Sequence, residues 1–251
     1  MTLSLTARAC ITLVIILGLC VLGIAITAGE TLHSVQLISF VVVACLAARL
    51  KVKLPGLTGS MCVNVPFILI AAAEMGFAET LLVGCLSNFV QCLPRDRRKF
   101  NLLQTAFNVS MMALAVSVTR LVYGSPVLAG YVTSPSLRLA VAAAGFFLAN
   151  TIPVAIVIFL TEGKSIARTW LGMFQISFPY FLASAGVAGV VLTLAARVGW
   201  AMPLAILPLM AGVYYSYQRF CSIPPKLWTG LPLTKMGPES VTQGADKQSL
   251  A

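Results

Sequence analysis

The sequence predicts an all-α fold: a polytopic bundle of membrane-spanning helices, about eight of them, with both termini on the inner side. Three observations carry this. First, the chain is 59% hydrophobic and only 10% charged, with a mean hydropathy of +0.95, whereas a soluble domain would be about 25% charged. Second, apolar runs recur near the length of about 20 residues that a helix needs to cross hydrocarbon. Third, the cations sort. Fourteen of the seventeen Lys and Arg residues lie in alternate connections or at the termini: Arg8, Arg49, Lys51, Lys53, Arg95, Arg97, Arg98, Lys99, Lys164, Arg168, Arg219, Lys226, Lys235 and Lys247. Arg120, Arg138 and Arg197 fall in the other connections. Inner loops of membrane proteins carry this excess, so the pattern sets an N-in, C-in orientation.

In chain order, the first span covers Cys10 to Ala28, behind Arg8, and the second Thr31 to Ala48, stopped by Arg49, Lys51 and Lys53. Small residues at Thr27 and Ala28 also permit a signal-peptide reading of the first run, but its length suits a spanning helix and keeping it preserves the charge alternation. After Pro55, Gly56 and Gly59, the apolar stretch Met61 to Ala73 is short for a crossing. It is either a short tilted span or the first arm of a re-entrant hairpin whose second arm is Thr80 to Leu93. Glu74 and Glu79 bracket its turn at Gly76, and the block Pro94 to Lys99 anchors its inner end.

The fifth span is Leu102 to Tyr123, followed by a Gly/Pro/Ser-rich outer loop from Gly124 to Ser136. The sixth is Leu137 to Leu160, turned at Glu162-Gly163-Lys164; the seventh is Trp170 to Ala196 and the eighth Trp200 to Tyr217. Trp170 and Trp200 stand where interfacial aromatics would anchor helix ends. Pro153, Pro179, Pro203 and Pro208 are expected to kink their helices. Ala183, Gly186 and Gly189, with Ser184 and Ala188 beside them, are expected to form a close-packing face. Residues 1–220 thus make one transmembrane domain. Residues 221–251, opened by Pro224-Pro225 and polar from Gly237 on, read as a cytoplasmic tail with a disordered end.

The same residues exclude several chemistries. Cys10, Cys20, Cys45, Cys62, Cys85, Cys92 and Cys221 are scattered without a CxxC pair and read as small apolar residues, not a disulfide or metal framework. One histidine, His33, rules out a multi-histidine metal site. No enzyme, cofactor or metal is expected. The formal charge of +10 is explained by orientation in the bilayer, so no nucleic-acid partner is expected.

Polar side chains inside spans need partners, so the amides are the candidate site. Asn88 and Gln91 lie three apart and Gln104 and Asn108 four apart, so each pair shares a helix face. With Asn150, Thr151 and Gln175 they are expected to form one polar belt, mostly in the cytoplasmic half of the bundle, and Tyr180, beside the carbonyl freed at Pro179, is a further candidate ligand-site residue. The belt is either a set of interhelical hydrogen bonds or a pocket for a small polar ligand.

The run Phe146 to Thr151, then Val157 to Lys164, Trp170, Pro179, Tyr180, Ala183, Pro208-Leu209 and Tyr214 to Tyr217 resembles the membrane-embedded amino-terminal module of bacterial GGDEF and HD-GYP signalling proteins. That resemblance covers about Pro55 to Arg219. It implies a multi-helix sensor whose last helix leads into a cytoplasmic output domain; here Pro224-Pro225 and a short polar tail stand at that junction, so the expected output route is a partner protein. A more distant likeness, carried by the glycine-punctuated stretch Leu57 to Val90, is to substrate-binding subunits of energy-coupling-factor transporters, which implies micronutrient binding. The expectation is therefore a non-enzymatic inner-membrane protein, sensor-like or accessory, with a transport subunit or a structural subunit as alternatives. Its partners are the lipid bilayer and a cytoplasmic or membrane protein docking on the basic loops Arg49–Lys53 and Arg95–Lys99.

Overall fold

A computed structural model describes residues 4–27, 34–53, 60–94 and 100–198, with single positions between 208 and 219. Its helices are α1 (Leu5–Thr27), α2 (Ser34–Ala48), α3 (Val65–Glu74), α4 (Phe77–Cys92), α5 (Leu102–Tyr123), α6 (Pro126–Tyr131), α7 (Pro135–Glu162) and α8 (Ile166–Val198). The expected helical membrane bundle is present. Four of these helices are long and apolar enough to cross a membrane: α1, α5, α7 and the stretch Ile166–Thr193 of α8. The eighth expected span and the tail lie largely outside the described residues, although positions 208, 211, 212, 215, 216 and 219 are helical.

Helix boundaries are set by local signals. Asn101 caps α5, its side chain accepting from the Gln104 N–H at 3.2 Å. Gly163 ends α7 in the left-handed conformation, φ 68°, which only glycine adopts without a Cβ penalty. The connection between α5 and α7 contains the short helix α6, started by Pro126 and capped by Ser125. Met61 is not helical. Strands β1 (Lys51–Lys53) and β2 (Ser60–Cys62) pair antiparallel, with Lys51 opposite Cys62 and Lys53 opposite Ser60. Helix α3 therefore starts only at Val65, with Pro66 in its first turn.

The consequence is a half-helix inside the bundle. Ten residues rise about 15 Å, half the hydrocarbon thickness. Every residue from Val65 to Ala72 is buried, packed by α8, α4, α5, α2 and α7. Helices α3 and α4 form a hairpin turned at Gly76. Around it, α2 buries Leu37, Phe40, Val43, Ala44 and Ala47, while α1 leaves Leu13, Ile16, Leu19 and Ile24 exposed toward lipid.

Helix α5 is the hub, and glycines on three neighbours let it be so. A Cβ on Gly18 of α1 would lie 2.4 Å from Ser110 Cβ, one on Gly84 of α4 2.8 Å from Val116 Cγ2, and one on Gly145 of α7 3.3 Å from Val118 Cγ1. Small residues are what allow membrane helices to approach this closely. The small-residue face expected on α8 divides. Ser184, Ala185 and Ala188 are buried, and Gly189 meets Ser136 of α7, whereas Ala183 and Gly186 are exposed. A spacing of three drifts off the buried stripe of a 3.6-residue helix.

Candidate functional site

The bundle has a basic end, where α4 stops, α5 starts and α7 turns into α8, and an opposite end where α5 gives way to α6 and α7. About 9 Å into the bundle from the basic end, counting six residues along α5 at about 1.5 Å each, lies a polar layer. Asn64 stands at the N-cap of α3, 3% exposed. Its side chain makes no cap bond to the first turn; instead its Nδ2 donates to Ser87 Oγ at 3.1 Å. The Ser87 hydroxyl, fully buried, donates on to the Gly84 carbonyl at 3.1 Å. Asn88 Nδ2 donates to the Asn108 carbonyl at 2.7 Å, and Asn108 Nδ2 reaches Cys92 Sγ at 3.4 Å. Positions 84, 87, 88 and 92 share one face of α4 by the three-four spacing, and Gly84 brings α5 close enough for the bridge.

Pro66 removes one N–H from the first turn of α3, and those of Val65 and Phe67 have no acceptor one turn back within the helix, at the positive end of its dipole. Arg49, at the end of α2, donates from Nη1 to the Val90 carbonyl at 3.4 Å, which holds the first basic loop beside it. The arrangement offers amide donors and acceptors, a hydroxyl and a thiol to a small polar group, and no nucleophile with a general base.

The expected single belt is not assembled. Asn88 is buried, Asn108 half-buried and bonded to it, and Gln91 half-buried one turn along α4. Gln104 and Gln175 are exposed, on the outward faces of α5 and α8. Asn150 is half-buried on α7, and no hydrogen bond joins it to the layer. Thr151 and Tyr180, both buried, belong to a different joint between α7 and α8. There Phe147 packs on Trp170, Phe174, Phe178 and Phe181 with ring centroids at 6.3, 5.9, 5.3 and 5.2 Å. Trp170 is half-buried, and its Nε1 donates to Thr151 Oγ1 at 3.2 Å, while Thr151 donates to the Phe147 carbonyl at 2.8 Å. The aromatic positions on α8 recur at four, four and three residues, a helical stripe that buries them against α7.

The residues that carried the sensor-module resemblance, Phe146 to Thr151, Trp170 and Tyr180, thus turn out to be this α7–α8 joint. A family model, MASE9, matches residues 11–224. The chain belongs to the MASE9 family. That makes it a membrane-associated sensor-type module. No curated protein and no solved structure matches it. The matched region of this MASE9 chain takes in the α3–α5 layer, the aromatic joint and most of α1.

Sequence reasoning missed Asn64 and Ser87 as layer members. Asn64-Val65-Pro66 was a readable signal, a capping residue ahead of a first-turn proline, which marks a helix start inside an apolar run. It also missed a buried carboxylate. Glu79 is 1% exposed, and its Oε2 accepts from the Gly76 N–H at 3.0 Å, whereas Glu74 is exposed. Thr80 donates to the carbonyls of Gly76 at 2.8 Å and Ala71 at 3.0 Å, and Arg120 Nη1 donates to the Ala72 carbonyl at 2.6 Å. The three close the α3–α4 turn. The readable signal was the acid three residues after Gly76, the spacing of a capping box.

Proposed function

We propose that this MASE9 module is a non-enzymatic sensor of the bacterial inner membrane that binds a small polar ligand at the layer around Asn64, Ser87, Asn88 and Asn108. The observation carrying the reading is the half-helix α3, whose N-terminus is buried against that layer. Non-helical backbone at membrane depth is tolerated where it is enclosed by protein or lines a cavity, and half-helix termini are recurrent ligand sites. The distribution of cations supports an orientation with the layer in the cytoplasmic half and the chain crossing several times. The basic loops Arg49–Lys53 and Arg95–Lys99 would then receive an acidic face of a partner protein, through which the ligand state leaves the membrane. By family resemblance that partner is a cyclic-di-GMP output enzyme.

Native mass spectrometry of detergent-purified protein tests the binding step. A co-purifying small molecule is expected in the unaltered chain and is expected to be lost in Asn88→Ala and Asn108→Ala. Its absence from the unaltered chain would remove the reading. The orientation is tested by cysteine labelling from the cytoplasmic side, where Arg97→Cys should react and Ser125→Cys should not. A second reading, a micronutrient-binding transport subunit, is favoured by the same half-helix. Co-purification with an ATPase pair instead of an output enzyme would select it.

A further inference from the structure

We propose that the outward face of α8 is a self-association surface, on which a second copy of this chain docks through Gln175. This surface is independent of the Asn64–Asn108 layer. Leu171, Gln175, Pro179, Leu182, Gly186 and Val190 are all exposed. Their spacings of four, four, three, four and four place them in one stripe along the helix. From Leu171 to Val190 the stripe runs about 28 Å at about 1.5 Å per residue, close to the hydrocarbon thickness.

Gln175 is out of keeping with the other outward faces. Those present Ile16 and Leu19 on α1, Leu86 and Phe89 on α4, and Leu148 and Ile152 on α7, all apolar, which lipid covers at no polar cost. Gln104 is exposed too, but it is the third residue of α5 and stands at the basic end. Gln175 is the tenth residue of α8, about 10 Å along the axis beyond Arg168. Among the described residues its side-chain amide has no hydrogen-bond partner. One turn later Pro179, inside the helix, has no N–H to return to the Gln175 carbonyl. One residue thus carries an unused donor and an acceptor without its helical donor at membrane depth, where each needs a protein partner.

A second copy supplies both partners at the right height. Two chains inserted in the same orientation carry Gln175 at the same depth, and a two-fold axis along the membrane normal brings the two stripes face to face. The Nε2 of each Gln175 then donates to the Gln175 carbonyl of the other copy, and the two bonds close on themselves. A helix of different sequence would have to offer a donor and an acceptor at that one level. Gly186, three turns further along the stripe, has nothing of its own chain within 4 Å of a would-be Cβ. Its missing side chain serves no contact inside the bundle and leaves room for the backbone of the second copy.

Sedimentation equilibrium of the full chain in density-matched detergent tests this without a label. The unaltered chain should populate a monomer–dimer equilibrium. Gln175→Leu removes both bonds of the symmetric pair at once and should raise the dimer dissociation constant about ten-fold or more. Gln175→Asn, which keeps an amide on a shorter stem, should fall between. Gly186→Leu should weaken the dimer by crowding, whereas Gly23→Leu, on α1 and equally open, should leave the constant unchanged. The thermal unfolding midpoint of monomeric Gln175→Leu should match that of the unaltered monomer, because the amide holds nothing within the bundle. A chain that stays monomeric at every concentration would overturn the proposal, and a lowered midpoint in Gln175→Leu would then assign the stripe to a contact within the chain. A dimer that Gln175→Leu leaves intact would overturn it as well.

Discussion

Gly18 of α1 and Ser110 of α5 meet backbone to backbone: a Cβ built on Gly18 would lie 2.4 Å from Ser110 Cβ and 2.5 Å from its Cα. No rotamer change can relieve a clash with a Cα. Gly18→Ala should therefore destabilise the bundle by about 1–3 kcal/mol, the usual cost of overpacking, and Gly18→Leu by more. Gly23, five residues on, has nothing within 4 Å of its would-be Cβ, so Gly23→Ala should be neutral or slightly stabilising. Unfolding of the two alanine variants in one detergent checks the contrast.

Asn88 bonds the carbonyl of Asn108, not its side chain. Replacing Asn108 by Ala therefore leaves that acceptor in place and removes only the contact to Cys92. Each single alanine variant should cost about 0.6–1.7 kcal/mol, the range of interhelical hydrogen bonds in membranes. The double variant should cost the sum within about 0.5 kcal/mol, although residues this close usually couple. A larger coupling energy in the double-mutant cycle would mean that the two amides meet side chain to side chain.

Thr151 and Trp170 should behave in the opposite way. The indole N–H has the threonine hydroxyl as its acceptor, so Thr151→Val and Trp170→Phe each remove the same bond. Each should cost about 1 kcal/mol and the double variant clearly less than the sum. Thr151→Ser, which keeps the hydroxyl, should retain most of the coupling in the same unfolding measurements.

Arg120 closes the last turn of α3 through the Ala72 carbonyl, a cation at the negative end of a helix dipole. Arg120→Met keeps much of the stem and removes the charge-assisted bond, and a loss of about 1.5–3 kcal/mol is expected. Arg120→Lys should recover part of it. Hydrogen exchange of the Ala71 to Gly76 amides should rise in Arg120→Met before that of α5 does, because the turn is what the guanidinium holds.

Much of this architecture was legible because it is written in local runs. Span five, Leu102 to Tyr123, coincides with α5 to the residue, bounded by Asn101 and Gly124, both recognisable end signals. Asn88 and Asn108 were each legible as amides in need of a partner, because hydrocarbon forces a polar group to find one, but that they meet each other was not. Gln104 and Gln175 were misjudged for a complementary reason. Each lies in an apolar run, but hydropathy over a window says nothing about which face of the helix a residue occupies. Met61 was lost to β2 because a three-residue strand carries too little pattern to compete with the apolar run around it.

The sequence alone determined the membrane-spanning class, the approximate places of the helices and the sorting of charge to one end, because composition and run length act on each segment independently of its neighbours. Only the tertiary structure decided that α3 stops halfway, that Asn64 meets Ser87 and Asn88 meets Asn108, and that Glu79 is buried while Glu74 is not. Those outcomes depend on which faces of separate helices come together, set by contacts such as Gly18 on Ser110 and Gly84 on Val116 between residues far apart in the chain. Close packing admits one such arrangement, and no periodicity within a single helix encodes it.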